Sequence, residues 1–388
     1  MSETPLSASP DEALERMAGA RAGPRLLHPL MGSNPSTLLR VLARNGFVPP
    51  SRIPYVALAL SAAAVRWPFS LLERAMVARL RREEMPVRPP LFIVGHWRSG
   101  TTHLYNVLSR DPDMAFVPPF ATALPWDFLG LARWLQPLLE RALPSNRFVD
   151  RIPVHADSPQ EDEIALANMQ PISFYHGLYF PSRFKENFLR GIFFDGCRIR
   201  EIRRWEARFH YFHLKLALQQ PGKRLLIKNP VYTARVAMLR KLWPGAKFLH
   251  IRRNPYEVIQ STRSFYRALF RELALQDWEE APVDEVILSA YPRMLDALEA
   301  AARDLPPSDF VELRYEDVEA DPLAEIERAY RRLELDGFER ARPEFQAYLG
   351  SIHRYRKNTY EFSPAWTERI YERLKPYIDR WGYRPPGA

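Results

Sequence analysis

LFIVGHWRSGTTHL, Leu91 to Leu104, is the stretch that decides the fold. It begins with a short continuous apolar run, as a strand buried on both faces does, and Gly95 and Gly100 then bracket a turn. Thr101 and Thr102 open a helix whose Leu104, Val107 and Leu108 share one face, and Asp111-Pro112 closes it. Strand, glycine turn and helix in that order aim backbone N–H groups and a helix N-terminus at one point, where an anion is stabilised. The spacing approaches G-x-x-x-x-G-K-[ST], but Thr101 occupies the lysine position. A nucleoside triphosphate site needs that lysine and Mg²⁺ to offset its terminal phosphates. Arg98, inside the turn, offers a planar fork to a less densely charged group instead.

Further along, LLIK (Leu225 to Lys228) and KFLHIRR (Lys247 to Arg253) are two more apolar runs, joined by the helical TARVAMLRKLWPGA. Such a strand, helix, strand unit calls for parallel pairing. A fourth run, FVELRYEDV (Phe310 to Val318), follows an amphipathic helix around Val283 to Ala302. The expected fold is α/β: a P-loop-like, three-layer α/β/α arrangement around a central parallel sheet of at least four strands. A helical N-terminal extension, residues 1–88, precedes the main domain, residues 89–388, which ends in a helical tail. Helical pieces in the extension are expected to break at Pro49-Pro50 and at Pro68. Its most apolar part, IPYVALALSAAAV (Ile53 to Val65), falls short of the roughly 20 residues a spanning helix needs. With Arg66, Trp67 and Pro68 directly after it, the segment suits either a helix packed on the main domain or one lying in a membrane interface.

The 388 residues carry 55 basic and 46 acidic side chains, a net charge of +9 that favours an anionic partner. No nucleic-acid recognition motif accompanies that charge, so no nucleic-acid partner is expected. The single cysteine, Cys197, rules out an intramolecular disulfide and a thiolate metal cluster. No metal site is expected, and cytoplasmic residence is the default. The opening MSETPLSASPDEALERM has neither the basic leader nor the apolar core of a secretory signal.

RSGTT after an apolar strand, followed by LSRDP, resembles the 5′-phosphosulfate loop of sulfotransferases that use 3′-phosphoadenosine 5′-phosphosulfate (PAPS). The resemblance is greatest to the bacterial group related to protein-tyrosine sulfotransferases. LHIRRNPYEVIQSTRSFY (Leu249 to Tyr266) resembles that family's 3′-phosphate motif, with Arg253 ending a strand and Ser261 eight residues later. That interval selects Arg253 over Arg252. IKNPVY resembles the segment whose lysine, here Lys228, lies near the bridging oxygen, and RYEDVEADP, with Tyr315, resembles the segment beside the adenosine. HRYRKNTY (His353 to Tyr360) resembles the late basic segment that folds over the 3′-phosphate, with Lys357 and Asn358 matching best. The resemblance implies an enzyme that moves a sulfuryl group from PAPS, its co-substrate, to a hydroxyl without a metal. It further implies that Arg98, Ser99, Gly100, Thr101 and Thr102 hold the sulfuryl and 5′-phosphate oxygens, and that Lys228 stabilises the leaving group.

The proton acceptor is less determined. The tyrosine-sulfating relatives use a glutamate soon after the loop helix, but FVPPFATALPW has no acid before Asp127. VHADSPQEDEIAL supplies His155, Glu161, Asp162 and Glu163 instead. Ser158, Pro159 and Glu161 also read as N-cap, first helical residue and capping-box partner, which would make Glu161 structural. Asp162 and Glu163 continue an acidic first turn favoured by the helix dipole, whereas His155 titrates near neutrality. His96 and His103 flank the loop as further candidates. Ile53 to Val65, the aromatic ISFYHGLYFPSRF and the Trp-rich WDFLGLARWL point to a lipid-like or hydrophobic small-molecule hydroxyl as acceptor, met with peripheral membrane contact. The competing readings are a P-loop nucleotide kinase or NTPase, and a non-catalytic membrane-surface protein on the same fold.

Overall fold

A computed structural model of the chain describes residues 28–80, 87–131, 158–352 and 360–386. Five strands, β1 (Leu91–Val94), β2 (Met114–Ala115), β3 (Arg224–Lys228), β4 (Lys247–Arg252) and β5 (Phe310–Arg314), pair in parallel in the order β2-β3-β1-β4-β5. The helices that matter below are α1 (Pro35–Asn45), α2 (Ile53–Leu80), α3 (Thr101–Leu108), α4 (Glu163–Met169), α5 (Ile199–Gln219), α6 (Pro255–Leu273), α7 (Val283–Arg303), α8 (Tyr315–Ala320) and α9 (Pro364–Trp381).

The unbroken apolar runs have a direct cause, since the central strands are covered on both faces. Phe92 and Val94 of β1 join Ile227 and Phe248 in a core shared with α5, α6 and α7, while Leu91 and Ile93 join Leu226, Leu249 and Ile251 under α3 and the helices after β5. These are the three layers expected from the sequence. β2 is the unforeseen strand, because two residues carry no readable periodicity. FVELRYEDV divides: the strand stops at Arg314, and Tyr315 begins α8.

The chain leaves β1 toward the β3/β2 side of the sheet and leaves β4 toward β5. Connections that diverge from adjacent strands open a crevice at the carboxyl edge, where ligands of open α/β sheets bind. Here that crevice lies between β1 and β4.

The expected break at Pro68 does not occur, and α2 runs through it for 28 residues. Proline removes one helical hydrogen bond, but Pro68 and Ala64, whose carbonyl loses its partner, both lie on the exposed side. The opposite side, Ala59, Ala63, Arg66, Ser70, Glu73 and Val77, is a buried stripe that continues across the proline. Two ion pairs fasten it. Arg66 Nη1 donates to Asp127 Oδ1 at 2.8 Å, and its Nη2 donates to the Met31 and Ser33 carbonyls. Glu73 pairs with fully buried Lys215 and accepts from the Leu129 and Gly130 amides at 3.0 and 2.8 Å. Burial pulls the Lys215 ammonium down to about 8 against the attraction of Glu73, and pushes the Asp127 carboxyl up to about 6 against that of Arg66.

Removing one member of such a pair strands the other charge in the interior, at a cost of about 3 to 5 kcal/mol. Glu73→Ala is expected to lose that much stability in urea unfolding, and Glu73→Leu with Lys215→Met much less.

Candidate active site

The loop after β1 holds three residues with positive φ: Gly95 (144°), Arg98 (68°) and Gly100 (104°). Both glycines are sterically required. A Cβ on Gly95 would stand 2.6 Å from the Ile251 carbonyl, and one on Gly100 would collide with the Tyr315 ring. Ser99 Oγ donates to the His96 carbonyl at 2.8 Å, closing the turn, and the N-terminus of α3 begins at buried Thr101. Trp97 anchors the loop in an aromatic cluster, its ring 5.1 Å from Phe174, 5.7 Å from Phe188 and 5.9 Å from Tyr266.

Arg98, which the sequence places with the loop amides at the sulfuryl and 5′-phosphate oxygens, turns instead toward the other end of the crevice, where its Nε donates to Ser261 Oγ at 2.9 Å and its guanidinium lies over Phe265. Ser261 Oγ also meets the Tyr360 hydroxyl at 2.8 Å. Arg253 pairs with Glu257 and stacks 4.3 Å over the ring of Tyr315. Arg252 points elsewhere, to Glu312 at 2.8 Å and the Trp381 ring, as successive side chains at a strand end must. The loop, Arg253, Ser261 and Tyr315, although far apart in sequence, therefore surround one crevice.

The floor comes from β3. Lys228 is buried, donates to Thr102 Oγ1 at 3.1 Å and pairs with Glu161. Glu161 is not the capping-box residue that its spacing from Ser158 implied. α4 starts two residues later, at Glu163, with Asp162 as N-cap, and leaves the Glu161 carboxylate for Lys228. Asp162 and Glu163 face inward and are fully buried. Asn229 Nδ2 donates to Asp162 Oδ1 at 2.9 Å and to Glu163 Oε2 at 3.0 Å; Tyr232 donates to Asp162 Oδ2, with His213 Nε2 3.1 Å from the same atom. Burial pushes the Glu163 carboxyl up to about 7, against the pull of Arg235.

One turn of 3-10 helix, Pro230–Ala234, thus serves three purposes: Asn229 caps it through the Val231 amide, Tyr232 holds Asp162, and Thr233 Oγ1 accepts from the Gly95 amide at 2.8 Å. Sequence reasoning passed over Asn229, Tyr232 and Thr233, although the Asn-Pro dipeptide after Lys228 is a capping signal. It also passed over Tyr360, Trp97 and Tyr266. The Tyr266 hydroxyl is buried with no hydrogen-bond partner among the described residues, and burial together with the charge of Glu161 raises its pKa.

His96 is buried against Tyr291, its Nδ1 on the Trp97 carbonyl at 3.0 Å, and burial pulls it down to about 4, so it is neutral in the interior. His103 is also lowered by burial, with Glu319 opposing. His155, Lys357 and Asn358 lie outside the described residues. Among the described residues no group of three or more His, Cys, Asp or Glu is placed to hold a metal.

A loop of amides and hydroxyls with an arginine in it, joined to a second arginine and serine across a strand end, suits a nucleotide with two separated anionic groups. The sequence profile of the sulfotransferase family matches residues 89–340. The chain belongs to the sulfotransferase family. It is 31% identical over 354 residues to the omega-hydroxy-beta-dihydromenaquinone-9 sulfotransferase Stf3 of Mycobacterium bovis, an alignment covering 91% of this chain and 90% of that one. Among solved structures, sulfotransferase STF9 of Mycobacterium avium superposes with a TM-score of 0.67 at 16% identity over 100% of both chains. STF1 of Mycobacterium tuberculosis gives 0.62 at 18% identity over 95% of this chain and 99% of that one. At such identities the structures establish the fold, which is that of the sulfotransferases. The family implies PAPS as co-substrate, and the glycine cradle, with Ser261 against Arg98 and Arg253 over Tyr315, is compatible with it.

If Asn229 positions the acidic turn, Asn229→Ala leaves two buried carboxylates short of a donor and costs about 1 to 3 kcal/mol in denaturant unfolding. Asn229→Asp adds a third carboxylate to the same cavity and is expected to cost more. Both should lower kcat about tenfold or more while leaving adenosine 3′,5′-bisphosphate affinity in place, as isothermal titration would show.

Proposed function

We propose that this sulfotransferase transfers the sulfuryl group of PAPS to the hydroxyl of a lipid-like acceptor, working in the cytoplasm at a membrane surface. The carrying observation is the contact of Lys228 with both Glu161 and Thr102 at the mouth of the loop. Support for the acceptor comes from the 31% identical relative, whose name specifies an omega-hydroxylated dihydromenaquinone.

In this reading the amides of Ser99 to Thr102, with the Thr101 and Thr102 hydroxyls, hold the sulfuryl and 5′-phosphate oxygens. Arg253, Ser261 and Arg98 bind the 3′-phosphate end, Tyr315 flanks the adenosine, and Lys357 and Asn358 complete the site. Glu161 takes the proton of the acceptor hydroxyl as its oxygen bonds to sulfur; the opposite S–O bond breaks and its electron pair leaves with the bisphosphate. Lys228 offsets charge on that departing oxygen. The Lys228–Glu161 pair is therefore a rest position: the ammonium passes to the donor, and the carboxylate is released to act as base. Asp162 and Glu163 are occupied by Asn229 and Tyr232, which leaves Glu161 as the carboxylate of that run beside Lys228. His155 is the second candidate base.

Incubation with labelled PAPS and bacterial lipid extract, followed by mass spectrometry, should yield a sulfated lipid; label that appears on no hydroxyl product would sink the reading. Glu161→Gln should lower kcat by about 10² to 10⁴ with bisphosphate binding retained, and Lys228→Met should lower both. A Glu161→Gln variant with full activity would move the base to His155. Arg253→Ala is expected to weaken adenosine 3′,5′-bisphosphate by about tenfold or more while adenosine 5′-phosphate changes little, and an equal loss for both would displace the 3′-phosphate site.

A further inference from the structure

The outward face of α2 has no part in the donor site, and its polarity is the reverse of an ordinary surface helix. Between Arg52 and Arg79 the only charged residues are Arg66, Glu73 and Arg74, and the first two are the buried ones. Most of the residues turned to solvent are apolar: Val65 is 71% exposed and Leu72 69%, with Trp67, Phe69, Leu71 and Met76 around them. By length and composition Pro50–Leu80 could cross a membrane. The buried pairs Arg66–Asp127 and Glu73–Lys215 instead bind it lengthwise to the main domain, so that it lies along the protein surface.

A second observation identifies what covers this face. Arg74 of α2, Arg40 of α1 and Arg204 and Arg208 of α5 stand close enough that Arg208 is lowered by its own burial and by the other three. Among the described residues no carboxylate forms an ion pair with Arg40, Arg74 or Arg204. An apolar helix face beside uncompensated arginines matches the boundary between acyl chains and anionic headgroups. A second copy of the chain would bring a second set of the same charges.

We propose that the exposed face of α2, with Arg40, Arg74 and Arg204, docks on the surface of an anionic lipid bilayer, the helix lying in the interface. The proposal rests on the lipid-acceptor reading for its purpose, but its test needs no acceptor.

The full-length chain should co-sediment with vesicles of phosphatidylcholine and phosphatidylglycerol, and at least about tenfold more weakly with phosphatidylcholine alone. Val65→Glu with Leu72→Glu, both on exposed positions, should abolish sedimentation while melting temperature and adenosine 3′,5′-bisphosphate affinity stay unchanged. Arg74→Glu with Arg204→Glu should remove the preference for the anionic vesicles. The proposal is overturned if the chain binds bisphosphate yet stays in the supernatant with both vesicles, or if the Val65/Leu72 variant sediments like the parent. It is equally overturned if that variant dissociates a dimer of the parent chain that binds no vesicle, because the face then belongs to a second copy. Vesicle binding without bisphosphate binding would sink the donor-site reading and leave the docking surface standing.

Discussion

The amide of Asn229, shared between the carboxylates of Asp162 and Glu163, is the contact on which the geometry of the crevice depends. Two adjacent acids at the start of a helix are here fully buried, which is costly unless their oxygens are satisfied. Asn229, Tyr232 and the raised pKa of Glu163 meet that demand together, so near neutrality the pair carries less than two full charges. The consequence reaches the residues next in sequence. Fixing Asp162 against Asn229 brings Glu161 against Lys228, and Thr233, a few residues on, holds the first glycine of the loop. One strand end thus sets both the anion cradle and the carboxylate that faces it.

The same economy of buried charge governs the N-terminal helix. Ion pairs rarely stabilise an interior beyond what apolar packing would give, but they fix register, because a slipped alternative strands each charge. Arg66 and Glu73 are two turns apart on α2, and their partners Asp127 and Lys215 come from different parts of the main domain. Such spacing allows one seating of the helix. It also explains why Pro68 is tolerated: the buried stripe holds both halves in line, and the lost hydrogen bond falls on the outer side.

The sheet was legible because its central strands are buried on both faces and read as unbroken apolar runs, and because Gly95 and Gly100 are spaced as an anion loop requires. Arg253, Ser261 and Lys228 could be found by resemblance, and strand alternation separates Arg253 from Arg252 in the structure as the eight-residue interval did in the sequence. What could not be read was which member of Glu161-Asp162-Glu163 faces the crevice. Three consecutive acids look alike in one dimension, and the Ser158 spacing imitates a capping box. The decision lies with Asn229 and Tyr232, residues distant in sequence whose hydrogen bonds claim the latter two acids. Pro68 misled for a related reason, since local propensity yields when tertiary contacts hold a helix on both sides of a break. Two residues of β2 carried too little pattern to be seen at all.

Ser261 has partners inside the chain on two sides, Arg98 from the loop and Tyr360 from the C-terminal segment. Under the proposed donor reading, a nucleotide that grips Ser261 exchanges these bonds and does not simply add to them, which trims the net gain on binding. The same exchange runs in reverse once the sulfuryl group has gone. A departing bisphosphate leaves neither the hydroxyl nor the guanidinium stranded, because each re-pairs at once with the other. In the proposed reading, product release, often the slow step of a transfer enzyme, would be assisted by the hydrogen bond between Arg98 and Ser261.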